Sequence, residues 1–223
     1  MKSWCIAEPS DEYVERMEDV LEVYKLKYDE KRPVVCFDET NRQLIDEKKT
    51  ALPVKKPGQA AKCDYEYIRN GTVNLFMMFE PLKGLREVAV TEHRTKQDIA
   101  RCLRDLADNH YPDAEKIILV MDNLNTHKLS SLYATFEPEE ARRLAERFEI
   151  HHTPKHGSWL NTAEIEISVL SRQCLSRRIP TIEKMKEEVQ AWVTERNVCK
   201  TKVNWQFTTD DARIKLKHLY PKI

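Results

Sequence analysis

Glycine is scarce in this chain, at 4 of 223 residues, while a third of the residues are charged. With an ordinary apolar fraction, that composition excludes a disordered chain and describes a soluble, helix-rich globular protein. No apolar run approaches the length of a membrane helix, so no membrane partner is expected. The N-terminal Met1-Lys2-Ser3-Trp4-Cys5 lacks the apolar centre of a signal peptide, which argues against export and for a cytoplasmic protein. The six cysteines, Cys5, Cys36, Cys63, Cys102, Cys174 and Cys199, include no CxxC pair. That argues against a zinc or disulfide framework and for buried, reduced thiols. Net charge is zero, which argues against indiscriminate nucleic-acid binding. Its distribution is uneven: residues 1–50 hold 9 Lys+Arg against 13 Asp+Glu, and residues 151–223 hold 13 against 8. The basic C-terminal third is compatible with phosphate contacts.

What the chain does have is a pair of matched apolar runs. Val34-Val35-Cys36-Phe37 ends on Asp38-Glu39, and Ile117-Ile118-Leu119-Val120-Met121 ends on Asp122-Asn123. Such runs read as buried strands, and a strand that ends on a carboxylate places it at the rim of a sheet. Two carboxylates held together there need a cation, so the pair is a candidate metal site. Either Asp alone would also suit a turn; their joint placement favours the site. Glu39 alternates to the other face of its strand and is read as supporting or structural.

The remaining pattern frames these strands. Residues 9–29 read as an acidic, amphipathic helix with Tyr13, Met17, Val20, Leu21 and Tyr24 at helical spacing. Residues 40–63 are polar, carry Pro53, Pro57 and Gly58, and suggest an exposed arm or loop with one short strand. Residues 65–69 and 72–79 around Asn70-Gly71 predict a hairpin with a type I′ turn, and 86–90 a further strand. Helices are predicted at 95–109, 138–148, 161–176 and 181–198, with strands at 116–121 and 148–152. The order β-β-β-α-β-α-β-α predicts an α/β protein with a mixed five-stranded sheet flanked by helices, its first and fourth strands adjacent and parallel.

The candidate for a third ligand lies in His156-Gly157-Ser158-Trp159-Leu160-Asn161-Thr162-Ala163-Glu164. Asn161 with Glu164 three residues on is a capping pattern, and a carboxylate in the first turn can serve both the cap and a metal. Glu166 falls on the other side of that helix. Ser158 has no His-Asp context that would make it a nucleophile. His151, His152 and His156 with Cys174 invite a zinc reading, which the opposite orientation of adjacent strand residues opposes. Trp159 suits a base-stacking role or a core anchor, and the core is the expectation.

Phe37-Asp38-Glu39, Met121-Asp122-Asn123 with His127, and Ser158-Trp159-Leu160-Asn161-Thr162-Ala163-Glu164 resemble the three blocks of the DDE transposases. The bacterial insertion-sequence branch of the mariner-like superfamily is most similar, and the stretch from Trp205-Gln206-Phe207 to Leu219-Tyr220-Pro221 resembles it too. The resemblance implies an RNase H-like fold with Asp38, Asp122 and Glu164 as catalytic metal ligands for Mg²⁺, with Mn²⁺ as a substitute. It also implies DNA strand cleavage by water, then attack of the freed 3′-hydroxyl on target DNA. Asn123, His127, Lys155, His156, Asn161 and Arg172 are candidates to support the acids or touch DNA; Arg177 and Arg178 extend that basic edge. Expected partners are element ends and target DNA, with a homo-oligomer on DNA because transposition joins two ends. The expected division is an N-terminal helical lead-in (1–33), an RNase H-like DDE core (34–178) and a C-terminal helical extension (179–223). The branch ordinarily carries a helix-turn-helix region ahead of the core. Here only the acidic helix precedes the first strand, so the chain resembles a catalytic half, a second reading frame or a truncation, with a separately encoded DNA-binding part as one option. Other readings are a non-catalytic DNA-binding or assembly remnant and an RNase H-like nuclease on another nucleic acid; the intact acid trio opposes the remnant.

Overall fold

The run from Val34 opens β1 (Val34–Glu47), the middle strand of a five-stranded mixed sheet. The computed structural model describes residues 10–50, 52, 53, 58, 62, 64–122 and 129–221; Asn123 and His127 lie outside the described residues. Beside β1 runs β2 (Tyr67–Glu80), antiparallel, and beyond it β3 (Leu85–Thr91), also antiparallel. On the other side β4 (Ile117–Met121) is parallel to β1, and β5 (Phe148–His152) is parallel to β4. The spatial order is β3-β2-β1-β4-β5, so the first and fourth strands are neighbours as expected.

Two expectations fail in one place. β1 does not stop near Asp38 but continues through polar residues to Glu47, so residues 40–47 are strand rather than loop. Asn70-Gly71 is no hairpin turn either: it lies inside β2, which pairs with β1 along its length. The register passes from Gln43↔Thr72 to Ile45↔Arg69, so Asn70 and Gly71 together face Leu44. This is a bulge, and Gly71 supplies its φ of 102°. Asn-Gly favours positive φ in either setting; a long partner strand upstream decided between them.

Alternation along the strands divides the core in two. Val34, Cys36, Leu75, Met77, Phe79, Ile118 and Val120 face one layer; Val35, Phe37, Phe76, Met78, Ile117, Leu119 and Met121 face the other. The first layer holds α1 (Asp11–Tyr24). Its N-cap Ser10 accepts from Tyr13 N at 3.1 Å, and Tyr13, Met17, Val20 and Leu21 are buried. Each such side chain contributes roughly 1.5–3 kcal/mol. The second layer holds α2 (Lys96–Asp105), started by the reciprocal Thr95–Asp98 cap and prolonged by a π-helical turn, Leu106–His110. The short α3 (Ser130–Tyr133), which the sequence did not suggest, and α4 (Pro138–Ala145), with Pro138 in its first turn, complete that side.

The first layer is closed by α5 (Thr162–Gln173), α6 (Ile182–Cys199) and α7 (Thr209–Lys215). Glu166 of α5 is 2% exposed and sits between two cations: Arg86 Nε at 3.1 Å and Arg196 Nη2 at 3.2 Å. Arg86 is itself buried, lies over the Phe79 ring, and donates to Thr201 O at 2.9 Å. Burial pulls its pKa down and Glu166 holds it up. The knot joins β3, α5, α6 and the chain beyond α6. Gly84, at φ 72°, lets that chain approach: a Cβ there would stand 2.7 Å from the Lys200 carbonyl carbon. Cys36, Cys102 and Cys174 are buried free thiols, as expected, whereas Cys199 is free and exposed. Among the described residues no helix is long and apolar enough to cross a membrane.

Candidate functional site

The register of the two parallel strands builds the site. Their last pair is Cys36↔Val120, and two residues further along each strand stand Asp38 and Asp122. Both continue the face occupied by Cys36 and Val120, which is the face toward α5. Asp38 is therefore not at the end of its strand; it lies where β1 has left β4 but keeps its pairing with β2, opposite Met77. Glu39 falls on the opposite face. Its carboxylate, almost wholly buried, pairs with Arg94 Nη1 at 2.6 Å just ahead of α2, which fits the supporting role read from alternation.

Glu164 occupies the first turn of α5 and is exposed. The start of that helix is tied to β1 by Asn161, which is 1% exposed. Its Oδ1 accepts from Ala163 N at 3.1 Å and caps the helix. Its Nδ2 donates to Phe37 O at 2.9 Å and reaches Asp38 Oδ2 at 3.3 Å. Tyr24, at the end of α1, donates its hydroxyl to Leu160 O at 2.6 Å, and Thr162 Oγ1 lies 3.0 Å from Cys36 Sγ. On the other acid, His152 Nδ1 lies 3.2 Å from the Asp122 carbonyl, a contact that requires the proton on Nδ1.

The electrostatics single out Asp38. Burial, together with the charges of Glu39, Glu164 and Asp122, pushes its pKa up to about 7, against the pull of the Glu39 N–H on Oδ1 at 2.8 Å. Both of the other predicted acids thus act on Asp38. Among the described residues no three His, Cys, Asp or Glu side chains stand close enough as placed to enclose a cation. The donor set nevertheless suits Mg²⁺: hard carboxylate oxygens, one of them destabilised as an anion until a cation joins it.

The other sequence candidates scatter. Lys155 and His156 form an exposed turn just before the block, with His156 at φ 65°. Arg172 is exposed in the last turn of α5, about 16 Å along the helix from Asn161. Arg177 and Arg178 pair with Glu188 and Glu47, so that basic edge is largely neutralised. Trp159 is not in the core. It is 40% exposed and sets its ring edge-on to Phe207, with centroids 5.9 Å apart. The supports from Tyr24, Thr162 and His152 left no mark in the sequence, because each depends on contacts between distant segments. Arg94 left none either.

A family model for the DDE superfamily endonuclease matches residues 33–186. Among curated proteins no significant match is found. The fold is similar to that of solved transposase complexes. Against the Mos1 mariner paired-end complex with Mn the TM-score is 0.55 at 17% identity, over 90% of this chain and 62% of that one. For the mariner Mos1 paired-end complex with Mg the figures are 0.58 and 16%, over 100% and 67%. For the Mos1 strand transfer complex they are 0.57 and 14%, over 90% and 62%. This chain therefore spans about three fifths of the first of those chains. At these identities the likeness concerns the fold: an RNase H-like mixed sheet flanked by helices.

Proposed function

Since the chain belongs to the DDE superfamily endonucleases, we propose that it is the catalytic part of a transposase. In this reading it cuts DNA at the ends of a mobile element and joins the freed 3′-hydroxyl to target DNA. The observation that carries the reading is the state of Asp38, level with Asp122 and hydrogen-bonded to Asn161 at the head of the helix bearing Glu164. Its pKa of about 7 marks a site short of positive charge. The similar solved structures are paired-end complexes, one of them with a left transposon end, and a strand transfer complex, which supports DNA as the substrate.

Asp38, Asp122 and Glu164 would hold Mg²⁺, with Mn²⁺ as a substitute. Bound there, the ions supply activation of the attacking oxygen and neutralisation of the leaving oxygen in a phosphodiester displacement. The protein's part is to hold and aim the acids. Asn161 fixes one Asp38 oxygen, the Glu39 N–H fixes the other, and Arg94 absorbs the charge of Glu39. No side-chain nucleophile is required. In this reading Lys155 and His156, exposed beside the block, meet the DNA backbone.

Partners in this reading are element ends and target DNA, with a homo-oligomer on DNA. The catalytic core is 34–178, the branch is bacterial insertion-sequence mariner-like, and the compartment is the cytoplasm. The test is nicking of supercoiled DNA and of element ends in Mg²⁺ or Mn²⁺, comparing wild type with Asp122→Ala. Metal-dependent nicking that disappears in the variant supports the reading. Equal nicking by both proteins, or none by either on cognate ends, overturns it.

A further inference from the structure

A large aromatic side chain at the surface beside an acid site needs a reason, and Trp159 has a built mounting. It lies on a 3₁₀ turn (Ser158–Leu160) held by Leu160 N to Gly157 O at 3.0 Å and Asn161 N to Ser158 O at 2.8 Å. Gly157 is packed so tightly that a Cβ would meet Pro154 Cγ at 2.5 Å, and the Tyr24 hydroxyl clamps Leu160 O from beneath. The indole meets Phe207 edge-on at 78°, and Phe207 is fixed in turn by Trp205 Nε1 donating to its carbonyl at 2.7 Å. Packed against Phe207 in this way, Trp159 is 40% exposed as a residue and presents part of its surface to solvent.

Its place is as defined as its pose. Trp159 is two residues from Asn161, hence within roughly 7 Å of it along the chain, and Asn161 touches Asp38. Lys155 and His156 are exposed in the turn just before it, and Lys215 Nζ sits 5.6 Å above the Phe207 ring. A rigid aromatic, cations nearby and a carboxylate centre suit one ligand chemistry: a nucleobase attached to the phosphodiester held at the acids. Stacking takes any base, because every base has a π-face.

We infer that Trp159 is a stacking platform for an unpaired base next to the phosphodiester at Asp38, Asp122 and Glu164. The inference rests on the proposed DNA-cutting function. It assigns the indole a positioning role: an end base leaves the duplex and lies on the ring, which sets the strand's register at the acids.

The test uses the full chain in Ca²⁺ with a short duplex whose frayed end carries 2-aminopurine, and a fully paired duplex as control. Wild type is expected to quench the 2-aminopurine and to prefer the frayed DNA. Trp159→Ala should lose the quench and bind frayed DNA about five- to a hundred-fold more weakly, with paired DNA nearly unaffected. Trp159→Phe should recover most of both effects, which a merely structural role would not give. Quench and affinity unchanged in Trp159→Ala overturn the inference, as does equal loss on both DNAs. Wild type that nicks DNA with metal yet shows no quench sinks this inference alone; wild type that neither nicks nor binds sinks the function as well.

Discussion

Asn161 reaches Asp38: its Nδ2 lies 3.3 Å from the carboxylate oxygen Oδ2 while its Oδ1 caps the helix that carries Glu164. One buried amide thus couples an acid on the central strand to the helix presenting another. Asn161→Ser keeps a capping oxygen but cannot span to Phe37 O and Asp38. It should lower stability by about 0.5–1.5 kcal/mol, through loss of the Nδ2 bond to Phe37 O. It should also weaken Mn²⁺ binding and nicking by roughly 10- to 100-fold, as expected when a group that orients a ligand is lost. Calorimetric Mn²⁺ titration checks this; unchanged affinity would rule out the coupling.

Asp38 makes the metal-free protein less stable as pH rises. Its folded pKa of about 7 lies above the ordinary 3.8, so between those values the folded state binds more protons than the unfolded one. Stability attributable to this group is therefore full below about pH 4 and falls progressively to pH 7, by roughly 4 kcal/mol at most. Asp38→Asn should flatten the dependence and be more stable than wild type at pH 8 in EDTA, although inactive. Urea denaturation from pH 5 to 8 measures it, and parallel curves for the two proteins would refute the assignment.

Glu164 and Glu166 should separate function from stability. Glu166→Ala leaves the buried Arg86 and Arg196 without their carboxylate and should cost about 3–5 kcal/mol. Glu164→Ala alters an exposed side chain, so stability should move by no more than about 0.5 kcal/mol while nicking is abolished. Denaturant midpoints read beside nicking assays distinguish the pair; the reverse pattern would exchange their roles.

Two glycines offer a steric contrast. Gly71→Ala adds a Cβ in open space at φ 102° and should cost only backbone strain, on the order of 1–3 kcal/mol. Gly84→Ala adds the same strain and also drives a Cβ into the Lys200 backbone, so it should lower Tm clearly further. Equal shifts in thermal denaturation would show that the chain after α6 does not pack there.

Much of the architecture was legible because burial leaves periodic marks. The strands at Val34 and Ile117, the Asn161 cap, and the helix starts near Thr95, Pro138 and Thr181 all carry local signals that tertiary contacts did not override. Two failures share one cause. β1 beyond Asp38 is polar and exists because β2 pairs with it, and Asn70-Gly71 became a bulge because its partner lay upstream. Trp159 misled for the opposite reason: a large aromatic beside apolar Leu160 reads as core, and only packing showed that Leu160 is buried while the indole is not. Asp38, Asp122 and Glu164 were nameable one by one, but the amide linking two of them and the imidazole under the third were not.

The bond from Tyr24 to Leu160 O has a practical corollary for anyone dissecting this chain. Sequence likeness to the family begins at residue 33, after the first helix has ended. Yet that helix lends a hydroxyl to the turn that delivers Glu164, and Trp205, far beyond the matched region, stacks against the same tyrosine with centroids 4.9 Å apart. The stretch recognisable by homology is therefore smaller than the stretch that folds as a unit. Cut at the limits of the likeness, the polypeptide would keep its acids and lose the props beneath them.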